Sequence, residues 1–132
     1  MDNIEIVQKL YEHFAQKDDA GIRQILDKNI IWNQMKGFPG GGQFTGIATV
    51  MAKVFGGFRK DWDNWTATIT RYIDIGDGVI AIGYYEGVYS DTGKYMKADF
   101  ACEYKIQLEK IVAFQQYTDT FIIARAMGLT AG

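Results

Sequence analysis

The sequence predicts an α+β fold in which a conical, curved antiparallel β-sheet wraps around N-terminal helices. Three observations predict it. Apolar residues recur at helical spacing up to Phe58, with one short strand interposed. From Trp62 onward they alternate at strand spacing. The longest alternation, Lys94 to Asp119, reads as two long strands about a tight turn. Helices at one end of a chain and strands at the other make an α+β fold. A long curved sheet over helices encloses a cone, and a cone has a central pocket.

Ile4, Val7, Leu10, Tyr11 and Phe14 form the apolar stripe of a first helix, capped by Asp2 or Asn3. His13 falls on the opposite face and reads as a solvated side chain. Lys17-Asp18-Asp19 ends that helix and caps a second, Ala20 to Leu26. Asn29 to Gln34 is β-branched and aromatic, hence a short strand. Met35 to Gly46 holds one proline and five glycines, too many for regular structure, and predicts a mobile mouth loop. No lysine follows those glycines at P-loop spacing, so a phosphate cradle is not expected. Thr45 caps a third helix, Gly46 to Phe58. Trp62 to Ile75 puts Trp65, Ala67, Ile69 and Ile73 on one face and Thr66, Thr68, Thr70 and Tyr72 on the other. Asp77-Gly78 is a hairpin signal, and Val79 to Tyr89 is the next strand. In the closing hairpin Ala98, Phe100, Cys102, Tyr104 and Ile106 share one face. Val112, Phe114, Gln116 and Thr118 share one face of its partner, across a turn at Leu108-Glu109. Asp119 or Thr120 caps a last helix to Met127.

The chain has 132 residues, and 48% of them are apolar, which allows one domain with a sizeable core. A net charge of −2 without basic runs argues against a nucleic-acid partner. One cysteine and one histidine leave no intrachain disulfide and no multi-histidine metal site. The acidic, amphipathic start is unlike a signal peptide, and no stretch is long enough to span a membrane. The expectation is a cytoplasmic protein with no metal or cofactor.

The helix IVQKLYEHFAQKDDAGIRQIL, the strand IIW, the loop GFPGGGQFTGIATV, the hairpin around TGK and the ending KIVAFQQYTDT resemble the SnoaL-like polyketide cyclase branch. That branch belongs to the nuclear transport factor 2-like, or ketosteroid isomerase-like, superfamily. The resemblance covers nearly the whole chain, 1–132, as a single domain. It implies a conical barrel with a deep apolar pocket and frequent homodimers packed through the outer sheet face. It does not imply one activity.

Ketosteroid isomerase uses an aspartate base, a tyrosine and a protonated aspartic acid. On this sequence those positions fall on Gln34, Leu10 and Cys102. Leucine donates no hydrogen bond, and an amide takes no proton at neutral pH. The aspartate and histidine typical of the cyclases fall on Gln116 and Cys102, and again neither matches. Cys102 reads as a packed core thiol or, less favourably, a nucleophile.

Two ionisable candidates remain for a catalytic base. Glu86 shares a face with Ile80, Ile82 and Tyr84; inward, it is a pocket carboxylate, and outward, a rim residue. Asp119 is either a helix cap or a pocket carboxylate. The expected ligand-binding wall is Trp32, Gln34, Phe55, Tyr84, Phe100, Cys102, Phe114 and Gln116. The expected function is a pocket for a small, apolar, oxygen-bearing molecule. It carries cofactor-free proton-transfer chemistry on a ketone- or polyketide-like substrate or, alternatively, binding without turnover. An interaction domain using the threonine face of Trp62 to Ile75 is a third reading.

Overall fold

The computed structural model describes residues 1–130. In chain order the elements are α1 (Asn3–Ala15), α2 (Asp19–Ile25), β1 (Leu26–Gln34), β2 (Gly42–Thr45) and α3 (Ile47–Val50). A π-helical turn (Met51–Phe55) and α4 (Gly56–Asp61) follow. Then come β3 (Trp62–Asp74), β4 (Gly78–Tyr89), β5 (Tyr95–Gln107), β6 (Lys110–Thr118) and α5 (Thr120–Ala126). α1, α2 and α5 start where short polar side chains satisfy free backbone donors. Asp2 accepts from Glu5 N, Asp18 from Gly21 N and Asp119 from Ile122 N.

The six strands form one sheet in the order β2-β1-β6-β5-β4-β3. Its pairs are antiparallel except β1 with β6, which run parallel. Register shifts interrupt β1, β3 and the β5–β6 pair. Bulges of this kind bend a strand and increase its twist, which curls the sheet. The core lies between the concave face and the helices. Ile6, Val7 and Leu10 of α1, Ile22 of α2 and Val50 of α3 are buried there.

Several elements differ from the sequence expectation. β1 begins at Leu26, because Leu26 already pairs with Ile111 before a bulge. The glycine loop ends in a strand, β2, whose Phe44 lies opposite Trp32. The free edge of β1 recruits the only short β-forming run in that loop. Phe38, 8% exposed, sits edge-on to Phe58 and Trp65 and ties the loop's centre to the core. The third helix does not stop at Phe58. It passes through the π-helical turn and continues to Asp61. His13 is half-buried rather than fully solvated. Its ring packs on Gly21, where an added Cβ would lie 2.4 Å from Nδ1.

The largest correction concerns β4. Val79, Ala81, Gly83, Tyr85 and Gly87 are buried, while Ile80, Ile82, Tyr84 and Glu86 are only half-buried. The glycine-bearing face is the concave one. A Cβ on Gly87 would lie 3.2 Å from the Trp62 ring. The missing side chain is thus the space that β3's indoles occupy. On β3, a register shift between Ile69 and Arg71 breaks the alternation. Tyr72 is therefore half-buried rather than part of a continuous outer threonine face.

Candidate functional site: an aromatic cone and its vestibule

The curled sheet and α1 enclose a narrow cavity of about 30 Å³. Leu10, Tyr11 and Phe14 of α1 line one side, and Trp32, Gln34, Tyr104 and Phe114 of the central strands another. Phe55 of the π-helical turn, Phe58 of α4, and Trp65, Ala67 and Tyr85 of β3 and β4 complete the wall. The rings interlock: Trp32 stacks on Phe114 at 3.8 Å between centroids, and Phe58 on Trp65 at 4.3 Å. Offset and edge-on contacts of this kind add to area burial and stiffen the wall. Tyr11, Phe14, Phe58, Trp65 and Ala67 are shared with a vestibule of about 220 Å³, which Lys17, Arg59, Asn64 and Thr66 also line.

Polar groups in the cone fall into two sets. In the first, every group has a hydrogen-bond partner. Tyr11 and Tyr104 share a hydroxyl–hydroxyl hydrogen bond of 2.7 Å. Tyr85 Oη accepts from Gln116 Nε2 at 3.2 Å and meets Cys102 Sγ at 3.5 Å. Gln116 Oε1 accepts from Met35 N at 3.1 Å. Burial pushes the phenols of Tyr11, Tyr85 and Tyr104 well above the usual tyrosine range, so they stay protonated. Burial also pushes the Cys102 thiol up to about 12, which removes it as a thiolate at neutral pH.

The second set is incomplete. Trp32 is 4% exposed and its Nε1 is buried without a hydrogen-bond partner. Gln34 is 7% exposed, and its amide makes no hydrogen bond among the described residues. Buried donors in native proteins are nearly always satisfied, so Trp32 Nε1 in a cavity wall marks where a ligand or water belongs; the Gln34 amide is not fully buried and also borders the loop surface.

Of the residues expected in the wall, Trp32, Gln34, Phe55 and Phe114 reach the cavity. Phe100, Cys102 and Gln116 are buried behind it; Phe100 backs Tyr85 in a stack of 4.3 Å. Tyr84 and Glu86 are on the convex face. Lys97 Nζ lies 4.1 Å over the Tyr84 ring, and Tyr95 Oη donates to Glu86 at 2.5 Å. Asp119 is exposed and caps α5. Neither carboxylate is in the pocket. The wall residues among those described include no carboxylate and no imidazole. Of the three isomerase positions, Leu10 and Gln34 line the cavity and Cys102 lies behind it.

Sequence reasoning left Phe58 open between core and wall and missed Tyr11, Trp65, Tyr85 and Tyr104 as wall residues. Tyr11 stands in the apolar stripe of α1 and Tyr104 in the inward alternation of β5, so both carried a signal. Tyr85 carried none, because Gly83 and Gly87 made its face look the weaker one.

A curled six-stranded sheet closing on N-terminal helices around an aromatic pocket defines the nuclear transport factor 2-like class. The family model described as a SnoaL-like domain matches residues 7–114, and the chain belongs to that family. A nuclear transport factor 2-like protein from Burkholderia thailandensis is 32% identical, with a TM-score of 0.91 over 96% of this chain and 98% of its own. TerC, crystallised with polyporic acid, is 21% identical, with a TM-score of 0.85 over 96% of this chain and 98% of its own. IdmH of Streptomyces antibioticus, a candidate polyketide cyclase, is 16% identical, with a TM-score of 0.80 over 97% of this chain and 99% of its own. The last two likenesses show the fold alone. No curated protein matches the chain in a sequence comparison. No helix among the described residues is long and apolar enough to cross a membrane.

Proposed function

We propose that residues 1–132 form one domain that holds a flat, apolar, oxygen-bearing small molecule, as a binding module rather than a general-base catalyst. One observation carries the reading: Trp32 Nε1, buried without a partner, stands in a wall otherwise built of rings, beside the Gln34 amide, which makes no hydrogen bond among the described residues. An apolar pocket with a few placed polar groups orients a ligand by its oxygen atoms. The carboxylate-free wall supports binding over proton abstraction, which needs a base within reach of the substrate. The co-crystallisation of TerC with polyporic acid supports a ring compound as ligand. Calorimetric titration with a panel of apolar ketones and phenols tests the reading. Binding is expected, weakened several-fold by Trp32→Phe, which keeps a ring and removes the donor. No binding by any member overturns it.

A second reading rests on the Tyr11–Tyr104 pair. Each of its two hydroxyls has one proton, and only one proton is used between them. The other is available to a ligand carbonyl, where a phenol stabilises developing negative charge. The ligand would then have to supply its own base. Deuterium exchange at the α-carbon of a bound ketone, faster than in buffer and slowed by Tyr11→Phe, would favour this reading over simple binding.

The convex face supports a homodimer. Ile80, Ile82 and Tyr84 lie there in one row on β4, and apolar side chains in a row on an open sheet suit an interface. Sedimentation is expected to give twice the chain mass at micromolar concentration; a monomer contradicts it.

A further inference from the structure

The vestibule is basic on an acidic chain. Lys17 and Arg59 line it, and no Asp or Glu among the described residues does, although the net charge is −2. Arg59 donates through Nη1 to Asp19 Oδ1 at 2.6 Å. Its Nε and Nη2 are buried and have no acceptor among the described residues. Those two nitrogens form one edge of the guanidinium fork, the edge that matches both oxygens of a carboxylate. Asp19 takes the other side of the group and leaves this edge unused.

The backbone around Arg59 is unusual as well. Among the described residues, four non-glycine residues have left-handed φ angles. Leu108 and Glu109 make the β5–β6 turn, and the other two, Lys17 (φ 56°) and Asn64 (φ 57°), both line the vestibule. Asn64 lies in the register shift between Asp63 and Thr66. Lys17 takes its angle just past the end of α1, where Asp18 N donates to His13 O and Lys17 N to Phe14 O; the bulge at Asn64 re-aims side chains, as bulges do at ligand sites.

We propose that the ligand is an aromatic carboxylate, its rings in the cone and its carboxylate on the Nε/Nη2 edge of Arg59 at the vestibule. This rests on the pocket reading above and narrows its ligand class. The cone beyond the vestibule holds only about 30 Å³, so entry requires the mouth side chains to part. The same movement has to expose the guanidinium edge, which is buried while the mouth is closed. Lys17 adds attraction for the anion without fixing its orientation. The competing role for Arg59 is a latch between α4 and α2 through Asp19. A latch changes stability but has no preference among ligands.

The test is calorimetric titration of the full chain with 2-naphthoate and with 2-acetylnaphthalene, its neutral ketone counterpart. The wild-type protein is expected to bind the acid about tenfold more tightly or better, as a two-pronged charged hydrogen bond implies. That preference is expected to shrink with added salt and to vanish in Arg59→Gln. Equal affinity for the two compounds, or a preference that survives Arg59→Gln, overturns the inference and leaves the pocket reading standing. Binding of neither compound overturns both. If Arg59→Gln does not fold, the wild-type ratio at low and high salt decides: a ratio near one, or one indifferent to salt, is fatal to the proposal.

Discussion

The back of the cone and its front use the same chemistry to different ends. At the back, Gln116 is fully buried and both ends of its amide are bonded, to Met35 N and to Tyr85 Oη. At the front, Gln34 is nearly as buried and its amide is bonded to nothing among the described residues. Residue type does not separate these two glutamines, and neither does burial. Completion does. A satisfied amide fixes the fold, because removing it strands its partners. An amide that lines a cavity without a protein partner is free to take a ligand. The same contrast divides Tyr85, bonded at the back, from Trp32 Nε1 and the free edge of Arg59 at the front.

The largest expected effect tests the dryness of the back. Cys102 has an ordinary value of 9.0, which the fold raises to about 12. Between these two values the unfolded chain releases a proton that the native chain keeps. The raised value therefore contributes stability that is fully present below pH 9 and lost as pH rises through about 12. The loss is about 1.4 kcal/mol per pH unit. The buried phenols of Tyr11, Tyr85 and Tyr104 are also raised and add to it above pH 10. Urea denaturation midpoints from pH 7 to 11 check this. A flat profile means that the back is wet.

Next in size is Gln116→Leu. Leucine leaves Met35 N and Tyr85 Oη without this partner, at a cost of about 1–3 kcal/mol. The melting temperature is expected to fall by several degrees. A rise would move Gln116 into the ligand-facing set and erase the contrast with Gln34. Smaller still is Tyr85→Phe, which strands only Gln116 Nε2 and the weak contact to Cys102, for about 1 kcal/mol. The double variant with Gln116→Leu is expected to cost less than the sum of the singles, because both remove one hydrogen bond. Strict additivity would place the two residues in separate networks.

Much of this architecture is legible without coordinates. β5 alternates cleanly from Met96 to Ile106 because one face is fully buried and the other faces solvent, so its polarity records its orientation. Leu108 and Glu109 both adopt left-handed φ in the turn where the alternation breaks. β4 has no such record. Both of its faces are apolar, and the inward one is marked by glycines: Gly87 makes room for Trp62 and Trp65, and Gly83 for the β3 backbone at Thr68, all distant in sequence. For that reason the sequence leaves Glu86 open between pocket and rim and places Tyr84 in the wall, whereas both lie on the convex face. β2 and the π-helical turn depend on the free edge of β1 and on how Phe55 meets Trp32, neither of which is local. The site was half legible. Trp32, Gln34 and Phe114 are in strands whose inward face is evident, whereas Arg59 and Asn64 reach the vestibule through an extended helix and a bulge that no periodicity announces.

The measurement that tests the account most directly sets Gln34→Leu beside Gln116→Leu, each followed by thermal melting and by calorimetric binding of one apolar ketone. The account predicts a crossing. Gln34→Leu keeps the melting temperature or raises it slightly and loses several-fold in affinity, because the ligand loses an orienting group and the fold loses no bond. Gln116→Leu loses several degrees and, once folded, retains more of its affinity than Gln34→Leu does. If Gln34→Leu melts as low as Gln116→Leu while binding is unchanged, the two glutamines have the same role and the division of the cone into back and front is wrong.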